Sequence, residues 1–109
     1  MQSIQYLVVM ITTKDKSEAQ TIAEALLKEK LVACANIMES VQSHFWWQGK
    51  IDQSQETMLI LKTKESLFEN IVATVKSLHS YDVPEIIAFP IVKGNWEYLQ
   101  WIKDSVQSI

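Results

Sequence analysis

Apolar and polar positions alternate between two kinds of run along the chain. From Ile4 to Thr13 the apolar residues are continuous, Tyr6-Leu7-Val8-Val9-Met10-Ile11, the pattern of a strand covered on both faces. A capping-box pattern follows, Asp15 with Glu18 or Ser17 with Gln20, which predicts a helix start. Ala19, Ile22, Ala23, Leu26 and Leu27 then recur at helical spacing, so the helix is expected to run to about Lys30. Val32 to Trp47 reads as one long extended stretch with Ile37, Val41 and Phe45; Gln48-Gly49-Lys50 is the turn signal, and Ile51 to Thr63 the returning strand. Leu67, Phe68, Ile71, Val72, Val75 and Leu78 predict a second amphipathic helix. Pro84 and Pro90 bracket a short strand from Glu85 to Phe89, and Asn95 caps a last helix carrying Trp96, Leu99, Trp101 and Ile102.

The order β-α-β-β-α-β plus a terminal helix is the split βαβ, or ferredoxin-like, arrangement: an α+β fold in one domain spanning residues 1–109, with a four-stranded antiparallel sheet and helices on one face. Such a fold carries many unrelated functions. Two features of the strands say more. Both parities are apolar: Tyr6, Val8 and Met10 against Leu7, Val9 and Ile11; Met58 and Ile60 against Leu59 and Leu61; Ile86 and Ala88 against Ile87 and Phe89. Helices cover one face, the short last helix is too small for the other, and a second subunit is the economical cover. The hairpin is also oversized. Arms of about thirteen to fifteen residues at ~3.3 Å each reach roughly 45 Å, far beyond the usual strand. Its outer half would overhang the sheet with unpaired edges and an aromatic tip, Phe45-Trp46-Trp47, which reads as an oligomerisation arm.

Composition narrows the function classes. The 109 residues carry a net charge of −3, and all ten basic residues are lysines. Without arginine the chain lacks the rigid fork that reads phosphates and guanine edges, so nucleic acid is not an expected partner. The apolar runs fall short of the ~20 residues of a membrane span, and Met1-Gln2-Ser3 lacks the zones of a signal peptide. One cysteine, Cys34, excludes an intrachain disulfide and a cysteine-built zinc cage. The cytoplasm is the expected location.

Several segments resemble a known family. Leu31-Val32-Ala33-Cys34-Ala35-Asn36-Ile37, Trp46-Trp47-Gln48-Gly49-Lys50-Ile51, Ile60-Leu61-Lys62-Thr63, His79-Ser80-Tyr81-Asp82-Val83-Pro84-Glu85-Ile86 and Tyr98-Leu99-Gln100-Trp101-Ile102 together resemble the CutA divalent-cation tolerance proteins over residues 4 to 105. The resemblance implies a cytosolic homotrimer with strands pairing between subunits, similar in architecture to the PII signalling trimers. It also implies an association with copper or another divalent cation. Copper-binding members are proposed to use a first-strand cysteine and paired histidines; the corresponding positions here are Ile11, Leu78 and His79. The family's proline after the histidine is Ser80. Only His79 remains as a metal ligand, and one imidazole makes a weak site for copper.

The candidate ligand-binding residues are Lys62, His79, Tyr81 and Glu85, expected to line an inter-subunit cleft. Pro84 fixes the backbone between Tyr81 and Glu85, and Glu85 is paired in expectation with Lys62. His79, after the second helix, can equally cap its carbonyl end. Cys34 reads as a small apolar residue with no lysine or histidine beside it in sequence; His44 reads as surface. Trp46, Trp47, Trp96 and Trp101 read as interface and core anchors, with Phe45, Trp46 and Trp47 assigned to the subunit interface. Nothing assembles a nucleophile, base and orienter, and the chain has no glycine-rich phosphate loop. Acylphosphatase shares the fold but needs an arginine. The reading is therefore a binding protein rather than an enzyme, its rival a PII-like trimer for a small ligand with no physiological metal role. The physiological ligand and any protein partner are not legible.

Overall fold

The computed structural model describes residues 4–109; Met1, Gln2 and Ser3, read above for a signal peptide, lie outside them. The strands are β1 (Tyr6–Thr13), β2 (Cys34–Trp47), β3 (Lys50–Lys64) and β4 (Ile86–Pro90), and the helices α1 (Lys16–Lys28), α2 (Phe68–Leu78) and α3 (Trp96–Ser105). The sheet order is β2-β3-β1-β4 with antiparallel pairing throughout, which is the ferredoxin-like topology expected from the element order.

Local chemistry sets the boundaries. Of the two capping patterns, Asp15 is the one used: its carboxylate accepts from the Glu18 N–H at 2.9 Å, while the Glu18 carboxylate accepts from the Lys14 N–H. The first helix ends two residues short of the expected Lys30 because Lys30 adopts φ 55°. Its N–H then reaches Leu27 O, and the Leu31 N–H reaches Leu26 O, a Schellman cap that turns Leu31 into the core. A 3-10 turn, Glu65–Leu67, precedes α2. The last strand begins at Ile86 and includes Pro90, so Glu85 stands just outside it.

Leu7, Val9, Ile11, Leu59 and Leu61 face α1 and α2, where Ala19, Ile22, Leu26, Ile71 and Val75 complete a sealed core. The opposite, open face carries Val8, Met10, Met58 and Ile60 half-buried, with Met38, Ile87 and Phe89 exposed. The third helix touches β3 on this side: Ile102 is buried outside the helix-side core, and Tyr98 reaches Cys34. It covers one end of the open face and leaves the rest bare.

The hairpin overhangs as expected. The ladder from β1 stops at Thr13↔Thr57, and from Glu56 outward β2 and β3 pair only with each other. The turn puts Gln48 at φ 50° and Gly49 at φ 78°, the positive pair that a two-residue type I′ hairpin requires. At the root of the arm the register jumps from Met38↔Met58 to Val41↔Glu56, two residues against one. This β-bulge at Glu39 and Ser40, with Ser40 at φ 61°, exchanges the faces of β2 beyond it. Cys34, Asn36 and Met38 share the open face with Val41, Phe45 and Trp47, while His44 and Trp46 point the other way.

Candidate functional site

The segment from His79 to Glu85 leaves α2 and leads into β4, passing the end of β1 and the root of the arm. Polar contacts fix its first part. His79 caps α2 through its own N–H to Val75 O at 2.8 Å, and its imidazole is wholly buried. Nε2 donates to Thr12 O at 2.7 Å, and Nδ1 accepts the Tyr81 N–H at 3.0 Å. A backbone carbonyl only accepts and a backbone N–H only donates, so the ring is held as the neutral Nε2–H tautomer. Glu18 of α1 binds the same loop from the other side. One carboxylate oxygen accepts the Ser80 N–H at 2.8 Å, and the other lies 3.9 Å from His79 Nδ1. Burial works to raise the Glu18 pKa, but the hydrogen bonds from Lys14 and Ser80 outweigh it, leaving the carboxyl below its ordinary value.

Tyr81 packs its ring against His79, centroids 4.7 Å apart, and donates its hydroxyl to Glu56 at 2.7 Å. Burial, then the Glu56 carboxylate, push the phenol well above its ordinary value, so it stays a donor. Glu56 itself is buried and forms the first residue pair beyond the bulge. One hydrogen-bonded set thus joins α1, β1, the loop and the arm. Glu85 is exposed, level with Thr12 by extension of the β1–β4 register.

Lys62 is not part of this cluster within one chain. It lies opposite Val8, four residues along β1 from Thr12, or about 13 Å at the usual strand rise. Its ammonium donates to Asn36 Oδ1, so its expected partner Glu85 is out of reach within the chain. Lys62 is instead the direct cross-strand neighbour of Cys34. That corrects the sequence expectation of a thiol with no lysine near it. The Cys34 thiol also contacts Asn36 Oδ1 at 3.8 Å and neighbours the Tyr98 hydroxyl, whose pKa is raised by burial and then by Cys34.

Among the described residues no group of three or more histidine, cysteine, aspartate and glutamate side chains stands in metal-binding geometry. The two positions that resemblance assigns to lost ligands differ in setting: Ile11 is sealed in the core and Leu78 is exposed. His79 keeps no free lone pair, because Nδ1 already accepts the Tyr81 N–H. The residues present do not form a ready-made copper centre. At the arm, Trp46 is 74% exposed and Trp47 59%, with Phe45 exposed beside them; Trp96 and Trp101 are exposed on α3, so none of the four tryptophans is a core anchor of the single chain. His44 is a surface residue opposite Gln53. The Tyr81–Glu56 and Glu18–Ser80 contacts were the part that sequence reasoning missed; a buried-length carboxylate opposite an apolar position, Glu56 across from Val41, is the one sequence signal of the first.

Comparison with known proteins bears on all of this. A family model described as "CutA1 divalent ion tolerance protein" matches residues 7–105. "Protein CutA 1, chloroplastic" of Oryza sativa subsp. japonica is 42% identical over 96% of this chain, which spans 59% of that relative's length. "Divalent-cation tolerance protein CutA" of Thermus thermophilus is 45% identical over 90% of the chain and 95% of the relative. Among solved structures, CutA1 from Oryza sativa superimposes with a TM-score of 0.95 at 41% identity, covering 98% of each chain. A structure from Archaeoglobus fulgidus described as a periplasmic divalent cation tolerance protein gives 0.91 at 41% identity, over 94% of this chain and 99% of that one.

Proposed function

The chain belongs to the CutA1 divalent ion tolerance protein family, and on that premise we propose that it works as a self-assembled binding protein, a homotrimer, rather than as an enzyme. The observation that carries the proposal is the bare apolar half of the sheet together with the overhanging arm. Met38, Ile87, Phe89, Trp46 and Trp47 stand exposed, and an isolated two-stranded ribbon gains little stability in water. Other copies of the chain supply both the cover and the partner strands. In such an assembly Lys62 of one subunit and His79, Tyr81 and Glu85 of another would line a cleft, which resolves the separation of Lys62 from the other three within a chain. The lone thiol, Cys34, suits a reducing compartment, and we place the protein in the cytoplasm. No helix among the described residues is long and apolar enough to cross a membrane.

Light scattering tests the assembly: a trimer is expected at micromolar concentration, and a 12.5 kDa species under native conditions would sink the proposal. Phe45→Glu, which sets a carboxylate on the arm's inward face, should weaken assembly. A fully trimeric variant with unchanged melting would show that the arm is no interface.

Divalent cations enter as weakly held ligands. Copper(II) can take His79 Nδ1 only by displacing the Tyr81 N–H. Calorimetric titration of the wild type and His79→Ala should show weak binding in the first and none in the second. Nanomolar binding that survives His79→Ala would place the ligands elsewhere. No binding in either, with small metabolites shifting the melting temperature instead, would favour the PII-like reading.

A further inference from the structure

At the end of β3 farthest from the arm, a groove of about 770 Å³ opens between the residues leading into β1, the junction of β3 with the 3-10 turn, and the tail of α3. Ile4, Val106 and Ile109 give it apolar walls, and Lys64, Lys103, Glu65 and Asp104 bring charge to it. Its volume is that of an ordinary small-molecule pocket.

Lys64 is the unusual member. Only 6% of it is exposed, a degree of burial that lysine reaches as a rule only with a charged partner. None is present among the described residues. The ion pair with a lysine is Lys16 with Glu39, and the lysine ammonium that makes a hydrogen bond is that of Lys62. No fully buried side-chain nitrogen lacks a partner either. The Lys64 ammonium therefore keeps some exposure within that small fraction, and Lys64 is one of the residues that line the groove.

The surroundings narrow what could satisfy that ammonium. Lys103 adds a second positive charge at the rim, but Glu65 and Asp104 cancel the pair, and Asp104 already accepts from Gln100 at 3.1 Å. With four charged side chains that sum to zero, pairing with Lys64 leaves no further positive charge to neutralise a phosphate dianion or a nucleotide, which favours a monoanion. The apolar walls add a preference for a hydrocarbon body.

We propose that this groove is a binding site for a small amphipathic monoanion, a short-chain carboxylate that pairs with Lys64 Nζ while its tail covers Ile4 and Val106. None of the groove's residues belongs to the arm or to the loop from His79 to Glu85, so the inference stands or falls apart from the assembly and metal readings.

Titration of the full chain with butyrate, butanol and butylammonium, followed by the amide NMR shifts of Ser66 and Val106, tests it. Butyrate is expected to shift these amides saturably, butanol about tenfold more weakly, and butylammonium not at all, since a charge-assisted hydrogen bond accounts for that ratio. Lys64→Gln should weaken butyrate about tenfold and leave butanol unchanged, whereas Lys103→Gln, at the exposed rim, should cost about threefold or less. Equal shifts from all three probes, or butyrate binding untouched by Lys64→Gln, would overturn the proposal. If Lys64→Gln fails to fold, the three-probe comparison on the unmodified chain still decides.

Discussion

On the helix side of the sheet Leu7, Val9, Ile11, Leu59 and Leu61 are out of contact with water; on the other side Val8, Met10, Met58 and Ile60, from the same two strands, remain half-exposed and Ile87 and Phe89 more so. Neighbouring residues of equal hydrophobicity thus end in opposite environments. Composition does not separate the faces. What separates them is that α1 and α2 both return to one side, while α3 reaches only one end of the other. The covered face holds the chain together, and the open face stores apolar area, worth roughly 25 cal/mol for each Å² removed from water, for whatever covers it.

A matched pair of truncations gives the largest expected difference. Leu61→Ala should cost about 2–5 kcal/mol in denaturant unfolding, as cavities in sealed cores do. Ile60→Ala should cost about 1 kcal/mol or less in the single chain, with an effect that grows with protein concentration under the proposed self-assembly, which would be linked to folding. Equal, concentration-independent losses would abolish the distinction between the faces.

Smaller is the effect expected at the polar end of the open face. Tyr81→Phe removes the hydroxyl that the buried Glu56 carboxylate accepts from and should cost about 1–3 kcal/mol. A neutral result would mean that water serves Glu56 equally well and that this end of the face is as loosely held as the rest.

The smallest expected effect is a pH slope on the covered side. The Glu18 carboxyl lies below its ordinary value, so folding favours its ionised form. The stabilisation is complete above the ordinary carboxylate range and is lost as the pH falls through the lowered folded value. Glu18→Gln should flatten the acid limb of the stability profile and leave stability near neutrality slightly reduced. An unaltered acid limb would assign that slope to other carboxylates.

Much of the framework was legible because it depends on local pattern. The apolar run of β1, the helical spacing of Ala19 to Leu27 and the Gln48-Gly49 turn each specify their element within a few residues. Boundaries moved where a residue took an unfavoured conformation without the usual glycine, as Lys30 does in ending α1. The site was less legible, since its contacts join residues far apart in sequence: Ser80 to Glu18, Tyr81 to Glu56, His79 to Thr12. Cys34 and Lys62 illustrate the same limit. Twenty-eight positions separate them by number, and they become direct neighbours only through the β2–β3 register. His79 stood out in the sequence, but its chemistry was hidden until both ring nitrogens had visible partners.

The bulge at Glu39 and Ser40 also acts as a correction of parity. Side chains on a strand alternate with period two, and counted straight from Met38 the even positions would share its face; with two residues set against Thr57, the odd ones do, Phe45 and Trp47 among them. The Gln48-Gly49 turn pins the pairing at the far end, so losing the single residue Ser40 would set Glu39 alone against Thr57, keep Val41 against Glu56, and leave every arm side chain on its present face. What would go is the local bend and added twist. One residue of chain length at the root therefore sets the direction in which the arm leaves the sheet, and not what it shows on either side.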